Sequence, residues 1–219
     1  MKLGDLVPGG KWTMGKTDRI KVFKDTAAVD YQAVYVDQAY ADKWNSRYGT
    51  SVTPGWYKDT DTSYETNINN EPLPYGTSVM AITGQTGAWI TSNGEVVEGE
   101  DGKIRFELTK SKFKMIGNCT PVALTLGNFV PGGKWTMGKT DRIKVFKDTA
   151  AVDYQAVYVD QAYADKWNSR YGTSITPGWY KDTDTSYETN ISNEPIPAGV
   201  GFMAITGQAG AYIEIPSAL

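Results

Sequence analysis

From Arg19 to Phe23 polar and apolar residues alternate, and they alternate again from Tyr31 to Val36. A period of two places successive side chains on opposite faces of a strand, so each run has one buried and one wet face. With Asp25-Thr26 supplying turn chemistry between them, the two runs predict an antiparallel hairpin. From Asp37 to Tyr48 the spacing becomes helical, with Asp37 placed to cap the first turn and Gly49 to end the last. Tyr40, Trp44 and Tyr48 then share one helix face. Thr53-Pro54-Gly55-Trp56-Tyr57 predicts a turn feeding a short strand, and a polar loop follows from Lys58 to Asn70. Val79 to Thr83 and Ala88 to Thr91 predict a second hairpin, while Ile104 to Leu108 and Phe113 to Ile116 predict two more strands. Ser92-Asn93-Gly94-Glu95 is the expected hinge, because Asn-Gly readily makes a tight turn. Short strands separated by Gly, Pro, Asn and Asp predict an all-β, mainly antiparallel fold, either a β-sandwich or a Greek-key barrel. One short helix per module is too few for a parallel α/β sheet.

The pattern occurs twice. Val7 to Asp18 recurs as Val130 to Asp141, so each residue of the first copy has its twin 123 positions on. Between Val7 and Pro74 the copies differ only at Val52/Ile175, Asn69/Ser192 and Leu73/Ile196. They diverge after Pro74, rejoin at Met80 to Gln85, and set Trp89 against Tyr212. Leu3-Gly4-Asp5-Leu6 matches Leu126-Gly127-Asn128-Phe129, whereas residues 94–123 have no earlier counterpart. Two tandem modules are therefore expected. The first, 1–93, is an N-terminally incomplete copy; the second, 94–219, is complete, with leading strands in 103–122. Such a chain reads as cut from a longer array.

Lys and Arg total 22 against 25 Asp and Glu, a net charge of −3, with no basic block to neutralise a run of phosphates. Nucleic acid is not an expected partner. The longest apolar stretches, such as Pro121 to Leu126, are too short for membrane insertion, and no signal-peptide pattern follows Met1. The single Cys119 excludes an intrachain disulfide and reads as a small half-buried residue rather than a reactive thiol. The chain has no histidine, which removes the commonest zinc ligand, the usual general base and every triad built on imidazole. No enzyme is expected.

Acidic residues gather in Asp59, Asp61 and Glu65, and again in Asp182, Asp184 and Glu188. Calcium is the one cofactor they suggest, but EF-hand spacing fails and a solvated acidic loop explains them as well. Nor does their spacing fix the separation that a glycosidase pair needs. Duplicating a catalyst only doubles its rate, whereas two linked binding faces gain avidity of about 10²- to 10⁴-fold.

Trp (7) and Tyr (14) far outnumber Phe (6), a preference for rings with a polar tip that suits half-exposed surfaces. Such rings can stack on sugars. Trp12, beside Gly9-Gly10-Lys11, is the first candidate, with Trp135 as its twin. Trp56 and Tyr57, with Trp179 and Tyr180, come next, although Gly-Trp-Tyr entering a strand also reads as a core anchor. Tyr64 and Tyr187 lie among Asp and Thr that could supply hydrogen bonds. Trp44 and Trp167 are expected to pack their helices on the sheet.

Gly117-Asn118-Cys119-Thr120-Pro121 leading into Leu124-Thr125-Leu126-Gly127, then Gly178-Trp179-Tyr180 and the closing Ile213 to Leu219, resemble uncharacterised secreted tandem-repeat β proteins of gut and rumen bacteria. The resemblance implies a secreted or cell-surface protein and a module starting near Gly94, and it carries no assigned site residues. The function expected from the whole is a non-catalytic pair of modules that bind a plant polysaccharide through exposed aromatics. The alternative is a structural or adhesive surface repeat, with self-association through the unpaired sheet edge of the first copy.

Overall fold

A computed structural model describes residues 1–15, 17–23, 29–73, 79–92, 101–118, 120, 122–138, 140–146, 152–198 and 200–217. The Asp25-Thr26 turn, the Asn93-Gly94-Glu95 part of the expected hinge and Cys119 lie outside these residues. The chain divides into two compact units near residues 95 and 96. Both are built from antiparallel sheets.

Unit 1 contains β1 (Leu6–Gly10), β2 (Arg19–Val22), β3 (Tyr31–Val36), α1 (Gln38–Tyr48), β4 (Gly55–Lys58), β5 (Val79–Ile82) and β6 (Ala88–Ser92). Four strands form one sheet in the order β4-β3-β2-β5, and β1 pairs with β6 in a second. The predicted hairpin of β2 and β3 is present, with Ile20 opposite Ala33. The hairpin predicted from Val79 to Thr91 is not. β5 pairs with β2, Ile20 opposite Ala81, while β6 pairs with β1, Pro8 opposite Ile90. The connection between them therefore arches from one sheet to the other.

Unit 2 opens with β7 (Lys103–Glu107) and β8 (Phe113–Gly117). It continues with β9 (Leu124–Thr125), β10 (Val130–Gly133), β11 (Arg142–Val145), β12 (Tyr154–Val159), α2 (Gln161–Tyr171), β13 (Gly178–Lys181), β14 (Pro195–Ile196), β15 (Gly201–Ile205) and β16 (Ala211–Pro216). Its main sheets run β13-β12-β11-β15-β8 and β10-β16-β7, beside the small pair β14-β9.

The helices start and stop where their caps dictate. The Asp37 carboxylate accepts from the Tyr40 N–H at 2.7 Å, and Gly49, at φ 66°, returns its N–H to the Asn45 carbonyl at 2.8 Å. Ala41 is buried, and Tyr40 and Trp44 pack beside it on Val34, Val36, Tyr57 and Tyr64.

A buried indole joins the sheets of each unit. Trp56 on β4 has no exposed surface, and its Nε1–H donates to the Leu6 carbonyl at the start of β1 at 2.8 Å. Trp12 meets it edge-on at 6.2 Å between centroids, and Tyr35 at 5.1 Å. Trp179, Phe129, Trp135 and Tyr158 repeat the arrangement.

Asp18 ties the arch of unit 1 to the loop after β1. Its carboxylate accepts from the Thr13 N–H at 2.7 Å, the Thr83 hydroxyl at 2.8 Å and the Gly84 N–H at 3.2 Å. Burial alone would raise its pKa, but these donors outweigh burial and hold it below the ordinary carboxylate value. Asp141 makes the same bonds to Thr136, Thr206 and Gly207. A lowered folded-state pKa stabilises above the unfolded value of about 4 and is lost as pH falls through the folded one. Resistance to urea should therefore fall between pH 7 and pH 3, and Asp18→Asn should shrink that difference while lowering stability at pH 7.

Candidate functional site

The eight rings expected to meet a ligand lie inside. Trp12 and Trp135 are 6% and 5% exposed, Tyr64 and Tyr187 3%, and Trp56, Tyr57, Trp179 and Tyr180 no more than 1%. As stacking platforms they are withdrawn, each for its own reason. The Trp12 N–H turns back to the Gly9 carbonyl at 3.3 Å, which tucks the indole against Trp56. Its Nε1, like that of Trp135, is buried without a hydrogen-bond partner, so packed area and not its polar tip holds it. The Tyr57 hydroxyl donates to the Thr53 carbonyl at 2.7 Å, and that of Tyr180 does the same to Thr176.

Tyr64 shows how a ring in a polar loop is buried. Its φ of 55°, matched by 56° at Tyr187, is a left-handed conformation that turns the side chain under α1. There it meets Trp44 at 4.8 Å, Tyr57 at 5.4 Å and Tyr40 at 5.9 Å, with its hydroxyl 3.3 Å from that of Tyr40. Burial, then the Tyr40 hydrogen bond, raises its pKa.

The exposed rings are others. Tyr48 and Tyr171, at the last turns of α1 and α2, are about half exposed, as is Trp89 on β6. Trp44 leans on Tyr48 at 4.5 Å, and Arg47 lies 5.2 Å over the Tyr48 ring. The helical spacing had placed Trp44 and Tyr48 on one face; what it lacked was where the sheet ends beneath them. In unit 2 a shallow depression of about 320 Å³ is lined by Ser174, Thr176, Tyr180, Tyr187, Glu188 and Asn190. It brings together three of the expected residues. Part of its polar lining is already engaged, since Asn190 Nδ2 donates to the Pro177 carbonyl at 3.0 Å and to the Thr176 hydroxyl at 3.2 Å.

The candidate calcium ligands do not converge. Asp61 accepts from the Glu65 and Thr66 amides at 3.2 and 2.8 Å, and Asp184 from the Thr189 amide at 2.8 Å, so both brace their own loops. Asp182 lies 3.8 Å from Arg142. Among the described residues no three His, Cys, Asp or Glu side chains group to hold a metal ion. No helix among them is long and apolar enough to cross a membrane.

The two units differ most at one flank. In unit 2 β7 adds to β16, Phe106 opposite Ile213, and β8 adds to β15, Met115 opposite Met203. Residues 103–117 thus form a second arch over the first, burying Ile104, Phe106, Leu108, Met115 and Ile116. The Arg105 guanidinium sits 4.0 Å over the Tyr212 ring, its Nε donating to Glu214 at 2.8 Å. In unit 1 no strand among the described residues occupies the outer edges of β5 and β6. The twins of buried Phe202, Ala204, Thr206, Ala211 and Ile213 are accordingly half-buried Val79, Ala88 and Ile90 and exposed Ala81 and Thr83.

No family model, curated protein or solved structure matches the chain.

If Trp12 works by packing, Trp12→Ala should lower unfolding free energy by about 3 to 5 kcal/mol, the range for emptying a large aromatic from a core. Urea titration checks this, and an unchanged midpoint would return the ring to the surface.

Proposed function

We propose that the chain is a non-catalytic structural repeat, a pair of β modules whose role is extension and assembly through strand edges. One observation carries this reading. The eight rings nominated for a ligand are packed inside, and two of the nominated carboxylates, Asp61 and Asp184, brace their own loops, while the surface that distinguishes the twin units is main-chain edge. A secreted or cell-surface setting, as the resemblance implies, suits such a repeat.

A second reading has its own support. The exposed Tyr48 ring in unit 1 and Tyr171 ring in unit 2, each beside a tryptophan, give each unit a patch at which a polysaccharide could stack. Electrophoresis in gels cast with xylan, β-glucan, mannan or pectin separates the two. The structural reading expects no retardation; retardation lost in Tyr48→Ala with Tyr171→Ala would replace it with the glycan reading.

Removing residues 101–118 tests the role of the edges. Five buried apolar side chains leave with the segment, each worth about 1.5 to 3 kcal/mol of burial. The unfolding midpoint of unit 2 should drop, and ultracentrifugation should show association rising with concentration. A midpoint unmoved in a chain that stays monomeric would defeat the reading.

A further inference from the structure

We infer that unit 1 is an acceptor for a free strand-turn-strand arch of the kind formed by β7 and β8. The inference rests on the structural-repeat reading and names the partner of its open edge.

Unit 2 supplies the template. There the arch docks on two sheets at once, through β7 on β16 and β8 on β15, and its turn is pinned by the Leu108 N–H to the Ala211 carbonyl at 3.0 Å and the Ser111 N–H to the Thr206 carbonyl at 2.8 Å. The unit 1 twins of these carbonyls belong to Ala88 and Thr83, on the arch between β5 and β6. Carried across the repeat, the register sets Phe106 of an incoming arch opposite Ile90, Glu107 opposite Trp89, Met115 opposite Met80 and Ile116 opposite Val79. Val79, Met80 and Ile90 are half-buried and apolar, and Val79 and Ile90 already pack against the core of unit 1.

The outer face fits as well. Trp89 lies over Gly9 and Gly10, where a Cβ would fall within 3 Å of its ring atoms, so the indole is held flat and half exposed. Its twin Tyr212 receives Arg105. An arginine stacks on an indole at least as well as on a phenol, so the matching position of an incoming arch finds its platform ready.

Counting decides the donor. Among the described residues there are two receiving flanks and one arch, and that arch covers unit 2. A second copy of the chain could cover unit 1 only by uncovering its own unit 2, exchanging equal pairings for no gain. The occupant is therefore a free arch of β7–β8 chemistry: alternating apolar residues on the inner side, a cation two positions before the first strand's end, and a turn with donors for two carbonyls.

A synthetic peptide of residues 101–118 added to the intact chain is the test, read by hydrogen exchange. At a peptide concentration about 100 times its dissociation constant, exchange across Val79–Ile82 and Ala88–Ser92 should slow about 100-fold, with 1:1 stoichiometry. Peptide carrying Phe106→Asp and Ile116→Asp should give no protection, and because the changes lie in the peptide the folding of the chain is untouched. Wild-type peptide that leaves these strands unprotected overturns the inference. So does protection that appears without peptide as the chain concentration rises, since the occupant would then be a second copy. Either failure leaves the deletion experiment free to uphold the structural reading, whereas an unaffected unit 2 on deletion defeats that reading.

Discussion

The bond from a buried indole N–H to a carbonyl on the facing sheet is the constraint around which each unit is arranged. Trp56 on β4 reaches Leu6 at the start of β1 at 2.8 Å, and Trp179 on β13 reaches Phe129, the residue before β10, at 2.9 Å, each toward a sheet that shares no strand with its own. An indole donor left unmade in so apolar a place would cost its full desolvation, so sheet separation and ring orientation are set together. Trp12 and Tyr35 then pack edge-on to a wall that is already fixed. The backbone N–H of the same residue is satisfied differently in the two copies, by Asn69 Oδ1 at 2.8 Å and by Ser192 Oγ at 2.9 Å. One of the three differences between Val7 and Pro74 thus preserves a hydrogen bond.

How far the amino acids foretold this depends on which property is asked. Alternation located β2 and β3 because one face of each is core, and Asp37 and Gly49 located α1 because capping is local chemistry. Partner choice is not local. Val79 to Thr91 carries hairpin spacing, yet Ile20 and Pro8 draw its two strands into different sheets, since periodicity names a strand's face and not its neighbour. The rings misled for a related reason. The polar tips of Trp56 and Tyr57 are met inside the fold by the Leu6 and Thr53 carbonyls, and Trp12 is buried with its Nε1 unpartnered, so a polar tip does not by itself place a ring at water. The inward turn of Tyr64 rests on a positive φ at a non-glycine residue, which no pattern of hydrophobicity encodes.

The two copies act as each other's control. Ile90 and Ile213 are the same residue at twin positions, and the contrast between half-buried Ile90 and sealed Ile213 goes with the β7 strand that pairs with β16 and has no counterpart beside β6 among the described residues. Edge strands commonly carry charges or bulges that discourage pairing. β5 reads Val-Met-Ala-Ile and β6 Ala-Trp-Ile-Thr-Ser, with neither charge nor proline. An edge so little defended suits the pairing proposed for it.

Asp18 reaches 65 residues along the chain to Thr83, and Asp141 reaches as far to Thr206. Each clasp closes only after nearly all of its own copy has left the ribosome. Because the sequences around both clasps are the same, Asp18 meets two chemically equivalent hydroxyls during refolding from denaturant, and a crossed closure would thread one copy's loop onto the other's arch. Vectorial synthesis avoids the ambiguity, since the earlier clasp completes before its rival exists. Yield after dilution from denaturant and yield during translation are thus governed by different competitions, although the native contacts are identical.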